Sequence, residues 1–246
     1  MRVQDPMPTP ETSALAAVRA RLEQVQRRIA AATARAGRPP DSVGLIAVSK
    51  THPAVAIRAA HAAGQRVFGE SYVQEALAKL DALADLDDIE WHFIGRIQGN
   101  KTRAIAARFH WVHGLCDPDH ARRLSEQRPA GLPPLQVCIQ VNLSGETSKA
   151  GVAPDAVEPL IAACERLPRL QVRGLMTLPE PAEDEARQRI PFRDLRALRD
   201  RLATPSRPLD CLSMGMSDDL EAAILEGATL VRIGTAIFGA RLYRGP

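Results

Sequence analysis

The chain has 246 residues and carries 32 Lys and Arg against 29 Asp and Glu, a net charge of +3 at pH 7. Apolar residues make up 45% of it, charged residues 25% and aromatics 4%, which excludes long disorder, a collagen-like repeat and membrane spanning. So slight a positive balance with so few aromatics also argues against a nucleic-acid partner. The four cysteines, Cys116, Cys138, Cys164 and Cys211, are scattered without a CxxC pair, and MRVQDPMPTPETS has no apolar signal core. Both features point to a reducing cytoplasm with no membrane association.

Residues 1–11, with Pro6, Pro8 and Pro10, read as a flexible N-terminal arm. A helix is expected from Thr12 to Ala36, where Leu15, Val18, Leu22, Val25 and Ile29 recur at helical spacing. Gly37 and Pro39-Pro40 close it. Eight short apolar runs follow, at 43–49, 66–69, 90–95, 109–115, 135–142, 172–178, 210–214 and 229–234. Their near-continuous apolar character suits parallel strands covered on both faces. Helical stretches alternate with them at 53–63, 71–83, 99–107, 118–127, 154–166, 184–203 and 217–226. Pro154 suits a first helical turn, and Asp218 with Glu221 predicts a capping box. Eight strands alternating with helices predict an α/β fold, a single (β/α)8 TIM-type barrel with an additional N-terminal helix, spanning 12–246. An open doubly wound sheet is the structural alternative, but no G-x-G-x-x-G follows the first strand.

A barrel of this kind does its chemistry at the C-terminal ends of its strands. The first run ends Val48-Ser49-Lys50, and desolvation of an amine there favours the neutral nucleophile that condenses with an aldehyde. A solvated lysine on a βα loop is the plainer reading of Lys50. Lysine occurs only at 50, 79, 101 and 149, so imine chemistry has four candidates. The seventh run ends Ser213-Met214-Gly215-Met216 and the eighth Arg232-Ile233-Gly234-Thr235, the usual place for a phosphate in this barrel. Ordinary βα turns would look the same. Arg232, in the apolar run TLVRIG, is either an outward charge or a ligand contact. His92 is read as lining the barrel mouth or as a satisfied core histidine. His110 and His113 face opposite ways on a strand and make no metal pair. Cys138 and Cys211 read as buried, inert thiols. Arg35, Arg38, Arg122 and Arg123 read as solvated charges.

The runs LIAVSKTHP, FGESYVQEALAK, WHFIGRIQGNK, QVNLSGETSKAG, GLMTLPEP and LSMGMSDDLEAAILEGATLVRIGTAIFG resemble the pyridoxal phosphate homeostasis proteins. Those proteins are similar to the N-terminal barrel of alanine racemase, and the resemblance covers about residues 15 to 240. It implies one barrel, lacking the C-terminal β-domain of alanine racemase, that holds pyridoxal 5′-phosphate as an internal aldimine. By position, Lys50 resembles the Schiff-base lysine. Ser213, Gly215, Met216, Gly234 and Thr235 resemble the phosphate cradle, and Arg232 the partner of the pyridine nitrogen. Departures are Ser71 in place of the usual asparagine, Arg96 and Gly99 in the WHFIG run, and a missing aspartate in FHWVHGLC.

The implied function is intracellular homeostasis of pyridoxal phosphate without robust catalytic turnover and without a metal. Apo-enzymes are the expected recipients of the cofactor, and a monomer is expected. The alternative is a pyridoxal-phosphate-dependent amino-acid racemase, which needs a second acid/base on the opposite ring face. Only Tyr72 and Tyr243 could supply a tyrosine there. A class I aldolase using Lys50 directly on a carbonyl is a further alternative.

Overall fold

The computed structural model describes residues 10–144 and 150–240. Its eight strands are β1 (Gly44–Val48), β2 (Val67–Glu70), β3 (Glu90–Phe93), β4 (Trp111–Leu115), β5 (Leu135–Gln140), β6 (Leu170–Met176), β7 (Cys211–Ser213) and β8 (Leu230–Ile233). They form a closed barrel in chain order. Every neighbouring pair is parallel, and β8 closes on β1 with Ile46 opposite Arg232. The expected (β/α)8 barrel is what the chain adopts, and the open sheet is excluded by that closure.

The helices between the strands are α2 (Ala54–Ala62), α3 (Val73–Ala82), α4 (Thr102–Arg108), α5 (Pro118–Gln127), α6 (Val157–Glu165), α7 (Glu185–Leu202) and α8 (Leu220–Leu225). The strands show almost unbroken burial because these helices cover their outer faces while the barrel fills the inner one. Before the barrel lies α1 (Pro10–Arg35), and after β8 comes α9 (Thr235–Phe238). The buried stripe of α1 runs through Val18, Leu22, Val25 and Ile29, while Leu15 is only half-buried. That stripe faces α2, α8 and α9, so the helix straps the seam where the barrel closes. Residues 1–9 of the expected arm lie outside the described residues.

Three local expectations are corrected. Residues 154–156 form a short 3-10 turn before α6 rather than its first turn. The capping box does not form, since no side chain caps α8. Glu221 instead makes a forked ion pair with Arg28 of α1, at 2.7 and 2.9 Å, and that pair fastens the N-terminal helix to the barrel. Arg38 is not simply solvated. Its guanidinium donates to the Ile224, Ala228 and Ser42 carbonyls and so anchors the chain entering β1.

Alternation along the paired strands turns Ile46, Val48, Gly69, His92, His113, Cys138, Ser213 and Arg232 inward. Part of the interior is apolar, a small cluster of Cys138, Met176 and Cys211 packed against Trp111 and Leu230. It is separate from the larger core between strands and helices. The rest of the interior is polar.

Candidate site at the barrel mouth

Lys50 continues the inward alternation of Ile46 and Val48 just past the end of β1 and is half-buried. It lines a cleft of about 490 Å³ with Ser71, Tyr72, Gly95, Arg96 and Lys101. The backbone turns sharply at the next residue, Thr51, whose φ is +67°. A β-branched residue enters that left-handed region only when its surroundings hold it there. What holds it is an ionic cluster behind β1 and β2. The Thr51 N–H and the Lys79 Nζ both donate to Glu75 Oε1 at 2.5 Å. Lys79 also donates to the Ser49 carbonyl at 2.7 Å and to Glu70 Oε1 at 2.8 Å, and the Ser49 hydroxyl donates to Glu70 Oε1 at 2.7 Å. Burial pushes Glu70 above the ordinary carboxylate range, opposed by the Lys79 ammonium. Lys79 is thus committed to two carboxylates behind the sheet, whereas Lys50 and Lys101 face the mouth. Lys149 lies outside the described residues.

Arg232 points into the barrel and is buried. Its Nη1 donates to Ser213 Oγ at 2.7 Å and its Nη2 to the Thr177 carbonyl at 2.9 Å. Burial lowers its pKa to about 10, so it remains charged at neutral pH. Among the described residues no carboxylate lies within ion-pair distance of it. A buried guanidinium held by two neutral acceptors is a donor poised for a further acceptor.

The turns after β7 and β8 lie beside it. Gly215 has a φ of +98°, and a Cβ there would come within 2.6 Å of the Ala223 Cβ. Gly234 borders β1, where a Cβ would sit 3.2 Å from the Val48 carbonyl. These glycines keep the turns low and bring backbone close to the mouth. Ser217 links the two turns, its Oγ accepting from the Ala236 N–H at 3.4 Å. The helices that follow are only six and four residues long, so they offer an anion the N–H groups of turns more than a long dipole. The Met216 N–H already donates to Asp219 Oδ1 at 2.5 Å, and burial raises the pKa of that carboxyl.

All seven residues singled out in the sequence therefore sit at or just inside the C-terminal ends of β7, β8 and β1. Two of them do more specific work than expected. The Ser213 hydroxyl turns inward to Arg232 and His113, and the Met216 N–H is tied to Asp219. The second reading of His92 holds. It is buried inside the barrel, with Nε2 against Glu90 Oε1 and Nδ1 against His113 Nε2, each at 2.8 Å. His113 continues to Ser213 Oγ at 2.7 Å, while His110 is exposed and accepts from the Trp91 N–H. The sequence reading missed this polar file. Its signal was the alternation Glu90, His92 within an otherwise apolar strand. Cys138 and Cys211 are buried as expected and lie 3.6 Å apart, which pushes the Cys138 thiol well up.

The family model described as alanine racemase, N-terminal domain, matches residues 20–242. The pyridoxal phosphate homeostasis protein of Pseudomonas aeruginosa is 59% identical over 225 residues, covering 92% of this chain and 96% of that protein. The protein of the same name from Escherichia coli (strain K12) is 50% identical over 224 residues, covering 90% and 96%. Among solved structures, PipY of Synechococcus elongatus with PLP bound matches with a TM-score of 0.78 at 38% identity, covering 90% of this chain and 100% of PipY.

Proposed function

The chain belongs to the pyridoxal phosphate homeostasis protein family, and from that premise we propose that it binds pyridoxal 5′-phosphate at the C-terminal mouth of its barrel and serves the homeostasis of that cofactor. The observation that carries the reading is Arg232, a buried cation that donates to Ser213 and Thr177 and, among the described residues, has no carboxylate within ion-pair distance. It fits an uncharged heteroaromatic nitrogen as acceptor. Lys50 is the residue for covalent attachment, because it continues the inward face of β1 two positions beyond Val48. The turns at Gly215-Met216 and Gly234-Thr235 would take the phosphate. Met216 does so once Asp219 yields its N–H.

When bound, pyridoxal phosphate supplies an aldehyde for an amine and a ring that withdraws electrons from the attached carbon. Arg232 donates to the ring nitrogen instead of protonating it, which leaves that withdrawal weak. The site therefore holds the cofactor without promoting carbanion chemistry, and the protein acts as carrier or regulator in the cytoplasm, as a monomer, with apo-enzymes as recipients. A racemase would need a second proton-transfer group on the far ring face. Among the described residues the one tyrosine is Tyr72, which is 55% exposed at the rim of the Lys50 cleft.

Titration with pyridoxal phosphate, followed by visible absorbance, tests this. The chain should gain a saturable band that Lys50→Ala loses. Chiral analysis after incubation with L-alanine should show turnover below about 1 s⁻¹, the lower edge of ordinary enzyme rates. A chain that takes up no cofactor, or that racemises faster than that, contradicts the reading.

A further inference from the structure

The barrel interior carries an unbroken file of hydrogen-bonding groups from its closed end to Arg232. It runs Glu90 Oε1 to His92 Nε2 (2.8 Å), His92 Nδ1 to His113 Nε2 (2.8 Å), His113 Nδ1 to Ser213 Oγ (2.7 Å) and Ser213 Oγ to Arg232 Nη1 (2.7 Å). His92, His113, Ser213 and Arg232 are all buried, and Glu90 reaches solvent at the closed end. Trp111 stacks on His92 at 5.3 Å, and the Arg173 guanidinium lies over Trp111 at 5.3 Å. These two side chains lid the file from below.

Counting protons fixes its direction. A neutral imidazole has one N–H and one lone pair. His92 holds Glu90 below the ordinary carboxylate range, so at neutral pH the carboxylate accepts and His92 carries its proton on Nε2. The lone pair on His92 Nδ1 then requires an N–H on His113 Nε2. The lone pair left on His113 Nδ1 requires the hydroxyl proton of Ser213. With that proton spent, Ser213 can only accept from Arg232. Burial lowers both imidazoles, and Arg232 adds to the effect at His113, in keeping with two neutral rings.

We propose that Glu90, His92 and His113 are positioning residues: they form a one-way relay that fixes the Ser213 hydroxyl as an acceptor and thereby sets the plane in which Arg232 presents its remaining N–H groups to the mouth. The relay makes the Ser213 hydroxyl a support for Arg232 and not a donor to a phosphate. What Arg232 presents those groups to, the ring nitrogen, rests on the function proposed above, whereas the relay itself does not.

Two measurements test it. Nitrogen-15 NMR of the full chain without cofactor, with labelled histidine, should show His92 and His113 both uncharged and both as the Nε2–H tautomer. An Nδ1–H tautomer or a charged ring at either position overturns the relay. Pyridoxal phosphate titration of His113→Leu and His113→Asn then tests positioning. Leu fills the space without an acceptor, whereas the Asn carbonyl stands where Nδ1 stood and still accepts from Ser213. Leaving the Ser213 hydroxyl without an acceptor should weaken binding about tenfold and shift the absorbance in the Leu variant, while Asn stays within about twofold. Equal behaviour of the two variants, whether unchanged or equally weakened, overturns the positioning role. Failure of the unsubstituted chain to take up any cofactor counts against the proposed function instead, and the tautomers still decide the relay.

Discussion

Arg232 sits buried among neutral acceptors, and that placement decides how the site behaves. Burial costs the guanidinium hydration, which is why its pKa falls to about 10, opposed chiefly by the charge of Asp219, and Ser213 and Thr177 accept two of its N–H groups. Arg232→Gln keeps a donor but removes the charge and shortens the reach. It should fold and bind pyridoxal phosphate about tenfold more weakly in a titration. The histidines behind it make a second prediction. Both are held neutral in the fold, with pKa values below the ordinary 6.5, so the stability they allow is complete above pH 6.5 and is lost as pH falls below it. The unfolded chain then binds up to two protons that the folded chain refuses, a slope of up to about 2.7 kcal/mol per pH unit. Denaturant unfolding at a series of pH values should show that His113→Asn reduces this slope by about one proton. An unchanged slope would mean that His113 is already charged in the fold.

Strands and turns were unequally legible. The eight strands could be read because burial on both faces leaves continuous apolar runs, and the stripe of α1 because Leu22 and Val25 keep helical spacing. The capping box at 218–221 was misread because Glu221 finds its partner in Arg28, 193 positions away, which local pattern cannot register. The turn after β7 depends on Gly215, whose φ of +98° and 2.6 Å Cβ approach to Ala223 leave no room for a side chain. Gly64 shares the left-handed backbone, at φ +97°, but faces open space. Gly64→Ala should therefore cost about 1 kcal/mol in denaturant unfolding and leave cofactor binding intact. Gly215→Ala should cost more than that, through the added clash, and should also abolish saturable binding, since it moves the turn assigned to the phosphate. Equal costs at the two positions would show that the turn tolerates a Cβ.

Across the whole molecule, closure of the barrel makes the site. Lys50 and Arg232 are 182 positions apart by their numbering, yet β1 pairs with β8 so that Ile46 stands opposite Arg232. The mouth positions could be named from the sequence because a (β/α)8 barrel assigns its chemistry to strand ends. The interior file could not. His92, His113 and Ser213 lie on β3, β4 and β7, and only the curvature of a closed sheet brings the third to the second. Cys138 and Cys211 meet in the same way across Gly174, where a Cβ would strike the Cys211 carbonyl at 1.8 Å. Since the proposed site draws on both sides of the seam, occupancy should stabilise the fold as a whole, by about 2.7 kcal/mol at a hundredfold excess over the dissociation constant. Thermal unfolding should rise with pyridoxal phosphate and much less with pyridoxal, which has no phosphate for the turns at Gly215 and Gly234. An equal rise with both would leave those turns without a role.

The central claim is that one amine, at Lys50, carries the cofactor. Borohydride reduction of the loaded chain, followed by digestion and mass mapping, reads this directly. The account predicts one added pyridoxyl group, on the peptide containing Lys50. A label found chiefly on Lys101, which shares the same cleft, or spread over several lysines, would contradict it.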